Sequence, residues 1–184
     1  MELWSSLRTT GLTPTRLWLR LDADTRLLAA TALYEHDWED DPVPTEADLQ
    51  IAQALKFRPQ AIRKLPKADR IKYLAKAVRP DRSLVSSLLL ALHLEKRKDV
   101  MSTFLDALEV THEDGLIDED FEFPEFETEK LSGGVDALLA KHPVEQVDLY
   151  LVTLYMMDPK TWQGLIEAMR AHVKEDLAAA GDDA

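Results

Sequence analysis

Three observations predict an all-α fold. The 184 residues include only six glycines, too few for a sheet protein of many tight turns, while Leu, Ala, Glu, Lys and Arg dominate segments that repeat near the helical period. Start signals are also frequent, with a capping side chain standing directly before a proline or an apolar-periodic run. At 46% hydrophobic content the chain can bury a substantial core. The expected organisation is a single helical domain over 1–176, with an acidic connecting segment at 109–129. The tail 177–184 (LAAAGDDA) is expected to fray.

Thr13 before Pro14 opens a helix at 14–21, because the hydroxyl satisfies an orphan amide where proline loses none. The next periodic stretch gives 24–36. Thr45, followed by Glu46 and Asp48, opens 46–56, and a Lys/Arg-rich amphipathic run gives 67–78. Asp81 opens 82–96 and Asp99 opens 99–110. Segments 129–141 and 144–157 follow, and Asp158 before Pro159 opens 159–175, whose stripe Trp162, Leu165, Ile166, Met169 faces inward. The longest apolar run, 84–94, is interrupted by Ser86, Ser87 and His93 and is far short of the ~20 residues of a membrane span.

An internal repeat competes with an irregular multi-helix domain. Residues 88–108 align without gaps on 149–169, pairing Leu90 with Leu151 and Phe104 with Leu165, although only three positions are identical. A true repeat would give about three units of three helices in an α-solenoid-like array, with each apolar face buried on its neighbour.

Charge is divided sharply along the chain. Residues 56–98 carry thirteen Lys/Arg against three Asp/Glu, while the whole chain nets −12. Summed charge of this kind sets partners and encounter. The candidate basic face is Arg63, Lys64, Lys67, Arg70 and Lys72, interleaved with apolar positions as on a helix with one solvated side. A second candidate surface lies in 109–129, where ten acidic residues flank Phe121, Phe123 and Phe126 around Pro124. Two readings of it stand: a connection pinned by its phenylalanines, or an acidic-aromatic strip that meets a basic surface. A calcium loop around Gly115 fails, since Val110 and Phe121 occupy the positions where carboxylates must ligate.

No GxGxxG, GxxxxGK[ST], GxSxG or HExxH motif is present, and the five histidines stand far apart. No catalytic residue, cofactor or metal site is assigned. His36 with Asp37, Glu39, Asp40 and Asp41 is read as an acidic loop rather than a metal site. Tyr150, Tyr155, Met156, Met157 and Trp162 are read as core rather than a ligand cavity. With no cysteine, no secretory leader and no spanning segment, a cytoplasmic protein is expected. The functional expectation is a helical protein-interaction or regulatory module with a protein partner or self-association. The alternatives are a nucleic-acid or phosphate binder using 56–98, for which Phe57 and Tyr73 are the nearby stacking residues, and an enzyme or ligand binder with an inter-helix pocket.

Overall fold

The computed structural model of this chain describes residues 1–38, 42–118, 120–170 and 172, apart from the side chains of Arg8, Thr10 and Pro42. Of the described residues, 71% are helical and none lies in a strand. The expected fraying tail 177–184 and the end of the expected helix 159–175 lie outside the described residues. The chain divides into two compact units, Leu12–Arg97 and Met1–Gly11 with Lys98–Ala184.

Ten helices are delimited: α1 Glu2–Thr10, α2 Pro14–Arg20, α3 Ala23–Glu35, α4 Pro42–Leu55, α5 Pro59–Arg63, α6 Lys67–Ala77, α7 Arg82–Lys96, α8 Lys98–Ala107, α9 Thr128–Lys141 and α10 Val144–Met157. A further helical stretch, α11, covers 165–170. Helix α1, ended by Gly11 in the left-handed region at φ 60°, has no capping signal and was not expected. The five-residue α5 was not expected either. Of the predicted caps, Thr13 and Asp81 act as such, accepting from the Arg16 and Leu84 amides at 3.3 and 2.9 Å. Asp99 instead sits within the first turn of α8. Thr45 is also internal, because α4 begins at Pro42 and carries Pro44 in its first turn, where proline forfeits no helical hydrogen bond.

In the unit Leu12–Arg97, α3 packs against both α6 and α7. Its Ala29, Ala30 and Ala32 are fully buried, and small side chains on two sides let both neighbours approach. Leu17, Trp18, Leu33, Ile51, Ile62, Leu74, Leu84, Leu88 and Leu92 complete the core. A polar clasp ties three helices together. The Tyr34 hydroxyl of α3 donates to Asp48 Oδ1 of α4 at 2.7 Å, and Arg70 Nη1 of α6 donates to Oδ2 at 2.9 Å. The Arg70 guanidinium also lies 5.0 Å over the Tyr34 ring.

In the other unit, α8 packs on α9 and α1 on α10. The α8–α9 approach depends on Gly134, where an added Cβ would stand 2.8 Å from the Phe104 ring. Asp148 of α10, 4% exposed, accepts from the Leu3 and Trp4 amides at 2.8 and 2.9 Å. It thereby satisfies the orphan donors at the start of α1. Trp162 is 4% exposed and packs on Phe104 of α8.

Repeat geometry fails in the register expected. Leu151 is fully buried, but Leu90 is 38% exposed. The buried positions of α7 are Leu84, Val85, Leu88, Leu89, Ala91, Leu92 and His93, and Leu90 falls about 200° around the helix from Leu88, on the opposite side. Phe104 and Leu165 are both buried, a match that two amphipathic helices reach without common ancestry.

Candidate functional site

The basic block belongs wholly to the unit Leu12–Arg97 apart from Lys98. Its thirteen cations do not behave alike. Arg70 is held in the Asp48 clasp with its side chain 21% exposed, so it is a packing residue rather than part of an open face. Lys72 lies 3.9 Å from Asp69 one turn away, Lys96 reaches Glu35 at 2.5 Å and Arg97 is buried. The remaining eight in the unit, Lys56, Arg58, Arg63, Lys64, Lys67, Lys76, Arg79 and Arg82, are exposed and make no ion pair among the described residues.

Helix periodicity explains the distribution along α6. Leu74 and Ala75 are buried, with Ile71 half-buried between them, and this places Lys72, Tyr73 and Lys76 on the outward face. Phe57 and Tyr73, the two aromatic residues of the block, are 57% and 37% exposed. Phe57 sits on a closed turn. The Phe57 amide donates to the Ala52 carbonyl at 2.9 Å and the Lys56 amide to Gln53 at 3.3 Å, with Lys56 left-handed at φ 56°. This is the hydrogen-bond pattern that ends many helices with glycine in the left-handed position, here carried by lysine.

The second candidate surface is folded onto its own unit. Phe121, Phe123 and Phe126 are all half-buried. Phe123 meets Phe121 and Phe126 at centroid distances of 5.2 and 6.3 Å, and Trp162 at 5.0 Å. Phe126 stacks on Trp162 with 13° between the rings. Phe123 and Phe126 therefore pin the connection to the indole, and Phe121 packs on Phe123. The packing also creates an open groove of about 1000 Å³, lined by residues of 123–128 and 158–167 and by Leu131. Glu125 and Glu127 stand exposed on its rim without an ion pair among the described residues. Hydrogen bonds from the Thr161 side chain, the Thr161 amide and the Lys160 amide hold the Asp158 carboxyl below the usual range. Glu167 is paired with Arg170 at 2.5 Å. The turn at 159–164, where a helix start was expected, supplies one wall of the groove, and only the aromatic half of the feature was legible from sequence.

The histidines are held in separate local contacts. His36 Nδ1 lies 2.7 Å from Glu95, His112 accepts from the Gly115 amide at 3.1 Å, and His142 contacts Thr103 at 3.0 Å. His172 lies 3.7 Å from Asp136. Burial, together with the nearby Arg97 charge, pushes His93 down to about 3 and keeps it neutral at ordinary pH. Among the described residues no group of three or more His, Asp or Glu gathers as metal ligands, and Glu39, Asp40 and Asp41 of the acidic loop lie outside them. Tyr150 packs edge-on against Phe104 at 5.7 Å and Tyr155 against Trp4 at 5.8 Å. No helix among the described residues is long and apolar enough to cross a membrane. The chain matches no protein-family model, no curated protein and no solved structure.

Proposed function

We propose that this protein is a helical interaction or regulatory module whose basic surface, centred on Arg63, Lys64 and Lys67, docks an acidic protein partner. The observation that carries the reading is the set of eight exposed cations that make no ion pair among the described residues, Lys67 acting on Glu35 only at longer range, beside three that are spent on ion pairs. A fold that satisfies Arg70, Lys72 and Lys96 internally and leaves their neighbours open favours an external anionic surface. Arg70 and Lys72 drop to a supporting role, because the clasp and the Asp69 pair already engage them. Acidic protein is favoured over nucleic acid because the block offers only Phe57 and Tyr73 for base stacking and no nucleic-acid recognition motif accompanies its cations.

Nucleic-acid binding is retained as a second reading on one observation: Phe57 and Tyr73 are exposed within the same basic block, where base stacking needs them. The test is retention on immobilised polyglutamate against single-stranded DNA and RNA, for wild type and the triple variant Arg63→Glu/Lys64→Glu/Lys67→Glu. The protein-partner reading expects wild type to be held by polyglutamate and the triple variant to be lost. Tighter retention on nucleic acid, with log affinity falling linearly with log salt, would favour the second reading. Equal retention of both forms would reject both.

A further inference from the structure

The acidic groove and the Phe57 turn are complementary in charge, and both present aromatic side chains. The groove offers Phe123 and Phe126, both packed on Trp162, along one wall, and two rim carboxylates, Glu125 and Glu127, not spent on ion pairs among the described residues. Lys56 and Arg58 flank Phe57 as two exposed cations. In the hydrogen-bond pattern that closes α4, the residue at the Phe57 position usually packs back on its own helix, whereas this ring is left 57% exposed. Pro59 follows at the first position of α5, so the turn is held at both ends and little conformational entropy remains to be lost on docking.

We propose that the groove receives the Lys56–Phe57–Arg58 turn of a second copy of this chain. The Phe57 ring enters edge-on to Phe123 and Phe126, a geometry that aromatic pairs favour. Lys56 and Arg58 close over the rim on Glu125 and Glu127. Each copy presents one turn and one groove, so association either closes reciprocally in a two-fold dimer or continues from copy to copy into a ring or chain. The inference rests on the proposed role of the basic surface as a docking face, and extends it to this turn and to a specific occupant of the groove.

Sedimentation equilibrium of the full chain tests it. Wild type should gain mass across roughly 1–100 µM at low salt and lose that gain in ~0.5 M NaCl, where rim charges are screened over a few ångströms. The turn variant Lys56→Glu/Phe57→Ala/Arg58→Glu and the groove variant Glu125→Lys/Glu127→Lys should each stay monomeric. Mixed in equal amounts, the two should form a dimer and nothing larger, since only one intact turn and one intact groove remain. Phe57→Ala alone should weaken self-association about tenfold or more, as for a central aromatic anchor. A wild type that stays monomeric throughout, variants that associate like wild type, or a mixture that fails to dimerise would each overturn the proposal. Circular dichroism of both variants controls for folding. Failure of the broader reading is distinguishable, since it shows as unchanged polyglutamate retention by the Arg63, Lys64 and Lys67 reversal, a measurement that involves neither the turn nor the groove.

Discussion

The two units differ most in how they handle charge. The unit Leu12–Arg97 holds fifteen Lys/Arg and twelve Asp/Glu and nets +3, whereas Met1–Gly11 with Lys98–Ala184 holds seven and twenty-two and nets −15. Each nonetheless buries one carboxylate almost completely. In the first unit, Asp48 is compensated by a cation and a phenol, Arg70 and Tyr34. In the second, cations are scarce and Asp148 is met by two backbone amides, with the N-terminal amine 3.9 Å away. Burial then outweighs those hydrogen bonds and pushes the Asp148 carboxyl up. The lesson is that the local charge supply decides what neutralises a buried acid. A unit rich in cations can hold a buried ion pair and still leave others exposed without one.

Removing the aromatic anchor of the acidic unit should have the largest effect. Trp162→Ala is expected to cost about 3–5 kcal/mol, the usual scale for truncating a buried aromatic, since Phe104, Phe123 and Phe126 all pack on this ring. A thermal melt measures it, and an unchanged midpoint would mean that the groove is not built on the indole. In the basic unit, Asp48→Ala strands the Arg70 guanidinium and should cost about 3 kcal/mol, at the low end for breaking a buried pair because Arg70 is partly solvated. Chemical denaturation reads this, and a loss below ~1 kcal/mol would reduce the clasp to a surface ion pair.

Gly134→Ala sets a methyl against the Phe104 ring at 2.8 Å. Overpacking of this kind costs about 1–3 kcal/mol. The same denaturation experiment decides it, and a stabilised variant would show that α8 and α9 have room to part.

Asp148 supplies the smallest effect and the one with a definite sign. Its carboxyl is raised above 3.8 in the folded state, so between that value and the raised one the native state binds more protons than the unfolded state. Stability from this group is present below 3.8 and is lost as pH rises through the folded value. The stability of wild type relative to Asp148→Asn should therefore fall with rising pH across that window. A difference that rises with pH would show that the Leu3 and Trp4 amides, not burial, dominate.

Helix content was legible in the sequence wherever a short-range signal existed. Segments 82–96 and 144–157 match α7 and α10 to the residue, because Asp81 caps one and Pro143 precedes the other, with long apolar periodicity behind each. Helix α1 was not legible, since the carboxylate that satisfies its first amides is Asp148, more than a hundred residues away. The repeat misled for a related reason: apolar spacing shows that a helix has a buried face but not which neighbour covers it, so Leu90 and Leu151 align in sequence while one is exposed and the other buried. The basic block was visible from composition, yet the difference between Arg70 and Lys67 depends on Asp48 and Tyr34, residues on other helices. The three phenylalanines were found by their density, whereas the facing wall at 158–167 read as the start of a regular helix, from the Asp158–Pro159 pair and the stripe Trp162, Leu165, Ile166, and gave no sign of the turn at 159–164.

The central claim, that the free cations of the basic unit form a docking surface while its paired cations hold the fold, is tested most directly by one comparison. Wild type and Arg63→Glu/Lys64→Glu/Lys67→Glu are used as bait in nuclease-treated cell extract, with melting midpoints measured in parallel. The account predicts that the triple variant melts with wild type, within ~0.5 kcal/mol as for exposed substitutions, and loses the acidic proteins that wild type retains. Recovery of the same proteins by both baits would contradict it and leave the basic face as a solvated surface.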